Sequence, residues 1–339
     1  MIKKLKDICQ IEKGQQIDTD LLDDSKPYKY INGGIRESGF YDEYNTKGTT
    51  ITVSEGGASC GYVNIIDEPF WCGCHCYKLT QIKVQPKYLY FNLKANQGKI
   101  MSLRTGSAMP NIRKSSFMEM QINVTNSNDE QRKIVTNLEK IEEVISKSKK
   151  ELLLLDEMIK SRFIEMFLSK NVIGNYARKK WSDVVTIYNG KDYKSYLSDK
   201  ENGYPVFGSG GFMGVYADKY ICEGTLTIIG RKGTIDKPLL VIGKIWNIDT
   251  AFAIKTNSAE LNPVYFHYRS KFYDYLEMNK QTTKPSLRKS DLQNLDIEVP
   301  PMKLQNKFVS FIEAIDKLKF SRLVRNCMVF NQKMGGICA

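Results

Sequence analysis

The sequence predicts an α+β protein: two copies of one domain joined by a long helix. Three observations carry that reading. Residues 3 to about 145 recur as residues 179 to about 319, displaced by a nearly constant 174 to 176 positions. Each copy has the same order, a Gly-rich region of about 125 residues and then a polar helix with an apolar stripe. Within the Gly-rich regions, β-branched runs alternate with turn signals and one short aromatic-rich helix. A chain of 339 residues with 42% hydrophobic side chains can fill two cores of ordinary size.

The correspondence is dense enough to align the copies residue by residue. Lys4, Leu5, Asp7, Ile11 and Gly14 return as Lys180, Trp181, Asp183, Ile187 and Gly190. Gly48 and Thr49 return as Gly224 and Thr225, and Trp71 as Trp246. Pro110, Arg113, Lys114, Ser115 and Ile122 return as Pro285, Arg288, Lys289, Ser290 and Ile297, and Gln131, Lys133, Val135 and Glu139 as Gln305, Lys307, Val309 and Glu313. Thr50 to Val53, Thr225 to Ile229, Thr250 to Ile254 and Leu295 to Val299 read as strands or extended segments, and Lys87 to Met101 and Val264 to Met278 as short amphipathic helices.

The clearest helix spans 129 to 168. Asn128 and Asp129 can cap it, and Glu130 places negative charge at the positive end of the macrodipole. Ile134, Leu138, Ile141, Ile145, Leu152, Leu155, Ile159 and Met166 follow a heptad seam broken only by Ser148 and Arg162, a stripe suited to one long partner helix over roughly 60 Å. The second copy supplies that partner. Pro300-Pro301 ends an extended segment, and Phe308, Ile312 and Ile315 take the places of Ile134, Leu138 and Ile141. Beyond about Phe320 the stripe decays, and Gly335-Gly336 does not belong in a stable helix, so the second helix is expected to be shorter or frayed. The expected division is therefore a domain over 1–128, a helix over 129–170, a domain over 171–301, and a shorter helix with a tail over 302–339.

A formal net charge of +12 attracts polyanions, nucleic acid foremost. The cations gather in loops rich in Gly, Ser and Thr: Arg104 to Ser107, Arg113 to Ser116, Gly230 to Thr234 and Lys280 to Lys284. No run approaches a membrane span, the N-terminus is charged where a secretory signal would be apolar, and the 8 cysteines follow no secreted framework, so a cytoplasmic protein with reduced thiols is expected.

Other constellations carry less. Cys72-Gly-Cys74-His75-Cys76 could furnish a zinc tetrahedron, but structural sites bring together separated ligand pairs. In a strand the three thiols would share one face, and the second copy replaces the run with Asn247, Asp249, Thr250 and Ala251, so buried small hydrophobes are the better reading. The glycine clusters at 54–61 and 208–214 match neither a phosphate loop nor a dinucleotide fingerprint, and read as turns or as backbone approaching a ligand. His267, in Tyr265-Phe266-His267-Tyr268, reads as a packed helix residue rather than a general base. No S-adenosylmethionine site or methyltransferase motif is present, so no cofactor and no metal are expected. The loops Thr105 to Lys114 and Thr282 to Lys289 combine hydroxyls, amides, a rigid Pro and paired cations, groups that suit phosphate positioning next to base edges.

The runs TGSAMPNIRKSSF (105–117) and TTKPSLRKSDL (282–292), each leading through an extended segment to the Gln that opens a helix, resemble the specificity subunit of type I restriction-modification enzymes. The resemblance spans nearly the whole chain. It implies two target recognition domains, each reading half of a bipartite double-stranded DNA sequence, joined by long helices that pack as an antiparallel coiled coil. It also implies a non-catalytic chain whose partners are two methyltransferase subunits and a restriction and translocation subunit. The DNA-contacting candidates are then Arg36, Arg104, Thr105, Ser107, Asn111, Arg113 and Lys114 in the first copy. In the second they are Arg231, Lys232, Lys280, Thr282, Thr283, Lys284, Arg288 and Lys289. The helix-packing candidates are Ile134, Leu138, Ile141, Ile145, Leu152, Leu155, Ile159, Phe308, Ile312 and Ile315. The rivals are a metal-dependent nuclease using acids such as Asp236 and Asp249, and a purely structural coiled-coil adaptor.

Overall fold

The computed structural model describes residues 1–106, 109–170, 172, 174–278 and 285–335, with side chains through Val324. The chain divides into two compact units, Met1–Lys147 with the chain from Asn326, and Ser148–Arg325. The division falls inside the long helix, not at its ends.

Each unit begins with a strand that pairs antiparallel with the strand preceding its long helix, Ile2–Lys4 with Gln121–Asn123 and Ala177–Lys180 with Asp296–Val299. A single helical turn follows at once, Leu5–Ile8 and Trp181–Val184. The amides of Leu5 and Trp181 donate to Met120 O and Leu295 O, each at 2.9 Å. The first unit then builds a four-stranded sheet from Gln10–Lys13, Cys76–Thr80, Thr50–Ser54 and Val63–Ile66, and a three-stranded one from Phe40–Tyr41, Tyr28–Ile31 and Phe70–Cys72. In the second unit the corresponding strands join into one seven-stranded sheet, because Leu239–Asn247 runs long enough to pair with both halves. The parallel pairing is the same in both: Tyr30 and Ile31 lie opposite Trp71 and Cys72, as Val206 and Phe207 lie opposite Trp246 and Asn247.

Recurring residues recur for physical reasons. A Cβ at Gly14 would lie 2.2 Å from Gly73 O, and one at Gly190 1.8 Å from Ile248 O, so both positions admit only glycine. The Trp71 and Trp246 indoles donate to Gln15 O and Lys191 O, each at 2.9 Å, tying the same turn to the same strand. Gln131 and Gln305 are buried and close a helix junction in both units. Their carbonyls accept from Gln85 N and Asn262 N, and their amides donate to Thr125 O and Pro300 O, all within 2.7–2.9 Å. A buried polar group is tolerated there because each side-chain atom finds a partner.

The expected strands are present as Thr50–Ser54, Cys222–Gly230, Ala251–Thr256 and Asp296–Val299. The expected short helices are trimmed. Lys87 to Met101 becomes Pro86–Ala95 and Gln97–Ser102, and the helix expected over 264–278 ends at Ser270.

The long helix runs Asn128–Phe163 and passes into a π-helical turn, Ile164–Leu168. Its cap is Ser127, one residue earlier than expected: Glu130 N donates to Ser127 Oγ at 3.3 Å, and Asn128 is already helical. In the second unit the part of this helix from Ser148 lies antiparallel to the first part of the helix Met302–Gly335, up to Arg325. Lys319 pairs with Asp156 at 2.5 Å and Arg322 with Glu151 at 3.6 Å, while Phe163 packs edge-on to Phe308. Ile159, Phe308, Ile312 and Ile315 are buried together, and Leu155 packs half-buried against them.

Two corrections concern the helices. Ile145 stands 43% exposed, whereas Phe163 and Phe167, which the heptad template missed, are buried. A straight helix drifts about 20° per heptad, so the buried row after Ile159 passes through 163 and 167 instead of 162. The second helix is the shorter one, 34 residues against 36, but it includes Gly335, a residue that sequence alone puts outside a stable helix. The decayed stripe shows instead as exposure, with Leu318, Phe320 and Leu323 half to two-thirds accessible.

Candidate nucleic-acid interface

In each unit two loops are stitched edge to edge, and the basic loop is one of them. In the first, Ile112 N donates to Glu55 O and Gly57 N to Pro110 O, both at 2.9 Å, and Thr105 exchanges backbone bonds with Asn111. In the second, Leu287 N donates to Arg231 O at 2.9 Å and Gly233 N to Pro285 O at 3.0 Å. The stitch requires the left-handed region at its glycine, with φ +77° at Gly57 and +84° at Gly233, where a side chain would be strained. Ile112 and Leu287 are buried and anchor the basic loop. The next residues, Arg113 and Arg288, are exposed and begin short helices, Lys114–Met118 and Lys289–Gln293. A buried anchor directly before each arginine fixes the backbone that carries the charge.

The remaining candidates divide by what they touch. Thr105, Asn111, Lys114 and Lys232 are exposed on these loops, and Lys289 is half-buried. Arg104 is half-buried and donates through Nε to Cys60 O at 2.8 Å, so part of its guanidinium supports the glycine loop. Arg231 lies over the Phe252 ring at 5.9 Å. Arg36 is exposed at the tip of the hairpin formed by Tyr28–Ile31 and Phe40–Tyr41. Ser107, Lys280, Thr282, Thr283 and Lys284 lie outside the described residues.

The two glycine clusters occupy different places in the fold. Residues 54–61 correspond to the loop that starts at Gly230. The cluster at 208–214 is a hairpin tip, where Gly208 pairs with Gly211, and its counterpart is the tip around Gly33. Sequence reading also missed Glu55. It is 8% exposed, pairs with Lys13 Nζ at 2.7 Å and accepts from Tyr77 Oη at 3.0 Å. Burial and this carboxylate push the Tyr77 hydroxyl above the usual tyrosine range, so it stays a donor. The available signal was a lone acid among glycines in an otherwise basic loop system.

The thiol run does not form one strand. A turn at Gly73, with Cys76 N donating to Gly73 O at 3.1 Å, folds it back. Cys72 and Cys76 are buried side by side, while Cys74 points elsewhere and bonds Gln16 at 2.8 Å. His75 is exposed. Among the described residues no group of three metal-capable side chains is gathered, and Asp236 and Asp249 are exposed. His267 is buried as expected, and burial pushes its imidazole down to about 3. No helix among the described residues is long and apolar enough to cross a membrane.

A twofold set of stitched, cation-bearing loops on duplicated α+β units defines a class of protein, and comparison with known families agrees. Residues 1–155 and 174–323 each match the type I restriction modification DNA specificity domain, and the chain belongs to that family, with two copies of the domain. It is 28% identical over 334 residues to a putative type I specificity subunit of Mycoplasma genitalium, covering 91% of this chain and 85% of that one. It is 36% identical over 135 residues to one from Mycoplasma pneumoniae, covering 39% and 36%. Among solved structures, the S subunit of a type I restriction-modification system from M. genitalium superposes with a TM-score of 0.65 at 20% identity, covering 99% of this chain and 94% of that one. A chain from a study of complex assembly in the type I system gives 0.57 at 11% identity, with 99% and 95% covered. At these identities the structures speak for the fold.

Proposed function

We propose that the chain is the non-catalytic reader of a type I restriction-modification enzyme, and that each unit lays its stitched loop pair on one half of a bipartite duplex target. One observation carries this: the same loop pair is built twice, each time with an exposed arginine, Arg113 or Arg288, directly after a buried anchor. Arginines carried on an anchored backbone position the protein on phosphates, and neighbouring loop atoms are left to read bases. Arg113, Lys114, Arg288 and Lys289 take the positioning role, with Lys232 and the Arg231 guanidinium beside the second pair. The long helices set the gap between half-sites. The apolar side chains the first helix leaves open, Leu153, Leu154 and Met158, offer area to a modification subunit. Methyl transfer to an adenine, and translocation or cleavage, belong to those partners, and the cofactor is theirs.

The test is binding of the full chain, with and without its modification subunits, to duplex DNA across a salt series and without Mg²⁺. Affinity that falls steeply with salt, with no bond changed in the DNA, is the expected result. Salt-independent binding, or strand cleavage by the purified chain, would overturn it.

A further inference from the structure

Both hairpin tips beside the stitched loops expose large apolar side chains that no core uses. In the first unit Ile35 is 57% exposed within Gly33-Gly34-Ile35-Arg36. In the second, Phe212 and Met213 are 48% and 41% exposed between Gly211 and Gly214, whose φ values are +111° and +77°. Each tip lies against its own stitched loop. Ser59 Oγ donates to Gly33 O at 2.6 Å, and a Cβ on Gly33 would lie 2.4 Å from His75 O. Ser209 Oγ lies 3.6 Å from the Cβ position of Gly233. The tips therefore stand on the face that carries the cations. Phe212 is also aimed, because its ring packs between Phe207 at 5.8 Å and Tyr216 at 5.4 Å.

We infer that Ile35 in the first unit, and Phe212 with Met213 in the second, are specificity-determining residues that contact the 5-methyl group of thymine in the major groove. The inference rests on the proposed reading of duplex DNA and names what part of the base edge these tips read. A two-stranded ribbon fits the major groove, and the thymine methyl is the one apolar group a base pair presents there. Arg36 and Lys232, each exposed next to its tip, supply the charge complementarity that brings a tip against a polyanion.

The experiment selects duplexes from a randomised library with the full chain and its modification subunits, then replaces each thymine of the selected sequence with deoxyuridine in turn. The expected result is one position per half-site where losing the methyl weakens binding about fourfold, the factor carried by one buried carbon group. Ile35→Ala should abolish that sensitivity in one half only, and the double variant Phe212→Ala/Met213→Ala in the other. The conservative Phe212→Leu should retain it, and unchanged thermal midpoints exclude a folding defect in these exposed positions. A selected sequence indifferent to every uracil substitution, or a sensitivity that survives the alanine variants, would overturn the assignment and leave the DNA reading intact. A library with no sequence enriched would overturn both.

Discussion

The stitched loops of the two units share the two backbone bonds that join them and differ in charge, most sharply at one position. Where the first unit has Glu55 hydrogen-bonded to Tyr77 and ion-paired with Lys13, the second has Arg231 over Phe252, with Asn189 in the place of Lys13. Backbone geometry held constant while the side chain under it changes sign is what a duplicated reader needs. On the proposed function, the scaffold fixes where the loops stand and the exposed side chains set what each loop contacts. In the first unit the acid is consumed internally, so that loop presents Arg113 and Lys114 alone. In the second the guanidinium lies over the Phe252 ring and donates to Asp249 O at 3.5 Å. The units also differ in anchoring. Ile134 is half-buried at the start of the first helix, whereas its counterpart Phe308 is fully buried among Phe163, Phe167 and Tyr268.

The anchoring difference gives the largest expected effect. Phe308→Ala should destabilise the second unit by about 3–5 kcal/mol, and Ile134→Ala the first by only about 1–2 kcal/mol. Urea unfolding followed through Trp181 in the second unit and Trp71 in the first separates them, and equal shifts would show that the two helix junctions are energetically alike. Next is the inverted position itself. Glu55→Gln should cost roughly 1–3 kcal/mol in the first unit, because Lys13 and Tyr77 lose a charged acceptor, while leaving the salt dependence of DNA binding unchanged. Arg231→Ala should do the converse and flatten the salt slope by about one unit.

A third difference is confined to acid. The first unit has Tyr90 where the second has His267. The folded state keeps His267 neutral down to about pH 3, whereas the unfolded chain protonates it near 6.5. Its contribution to stability is therefore complete above pH 6.5 and is lost as the pH falls from there toward 3. His267→Leu should remove that acid sensitivity from the Trp181 transition and leave the Trp71 transition as it was. The smallest effect is expected where the units agree. Arg113→Ala and Arg288→Ala should each weaken duplex binding across all sequences and each lower the salt slope by about one, and a change of base preference instead would assign these residues to readout.

Much of this was legible in the sequence because the duplication acts as an internal alignment. Gly14 and Gly190, Trp71 and Trp246, and Gln131 and Gln305 recur because each fills a position with a steric or hydrogen-bonding requirement, and all three pairs do the same work in both units. What the sequence hid depends on three-dimensional neighbours. The glycines of 208–214 form a hairpin tip, a placement that depends on which strands pair. Glu55 gave no periodic signal, since its partners come from two other strands. The heptad template lost Phe163 because a real helix drifts against a seven-residue repeat, and it kept Ile145 because spacing alone does not show which face is covered.

The central claim is that one chain places two independent readers on one target. It is tested most directly by mapping methylated bases in the DNA of cells that carry the complete system, with the native chain and with Phe212→Ala/Met213→Ala. The account predicts two short specified blocks separated by a gap of constant length. The variant should change the bases of one block and leave the other block and the gap unaltered. A single contiguous motif, or a variant that changes both blocks together, would contradict it.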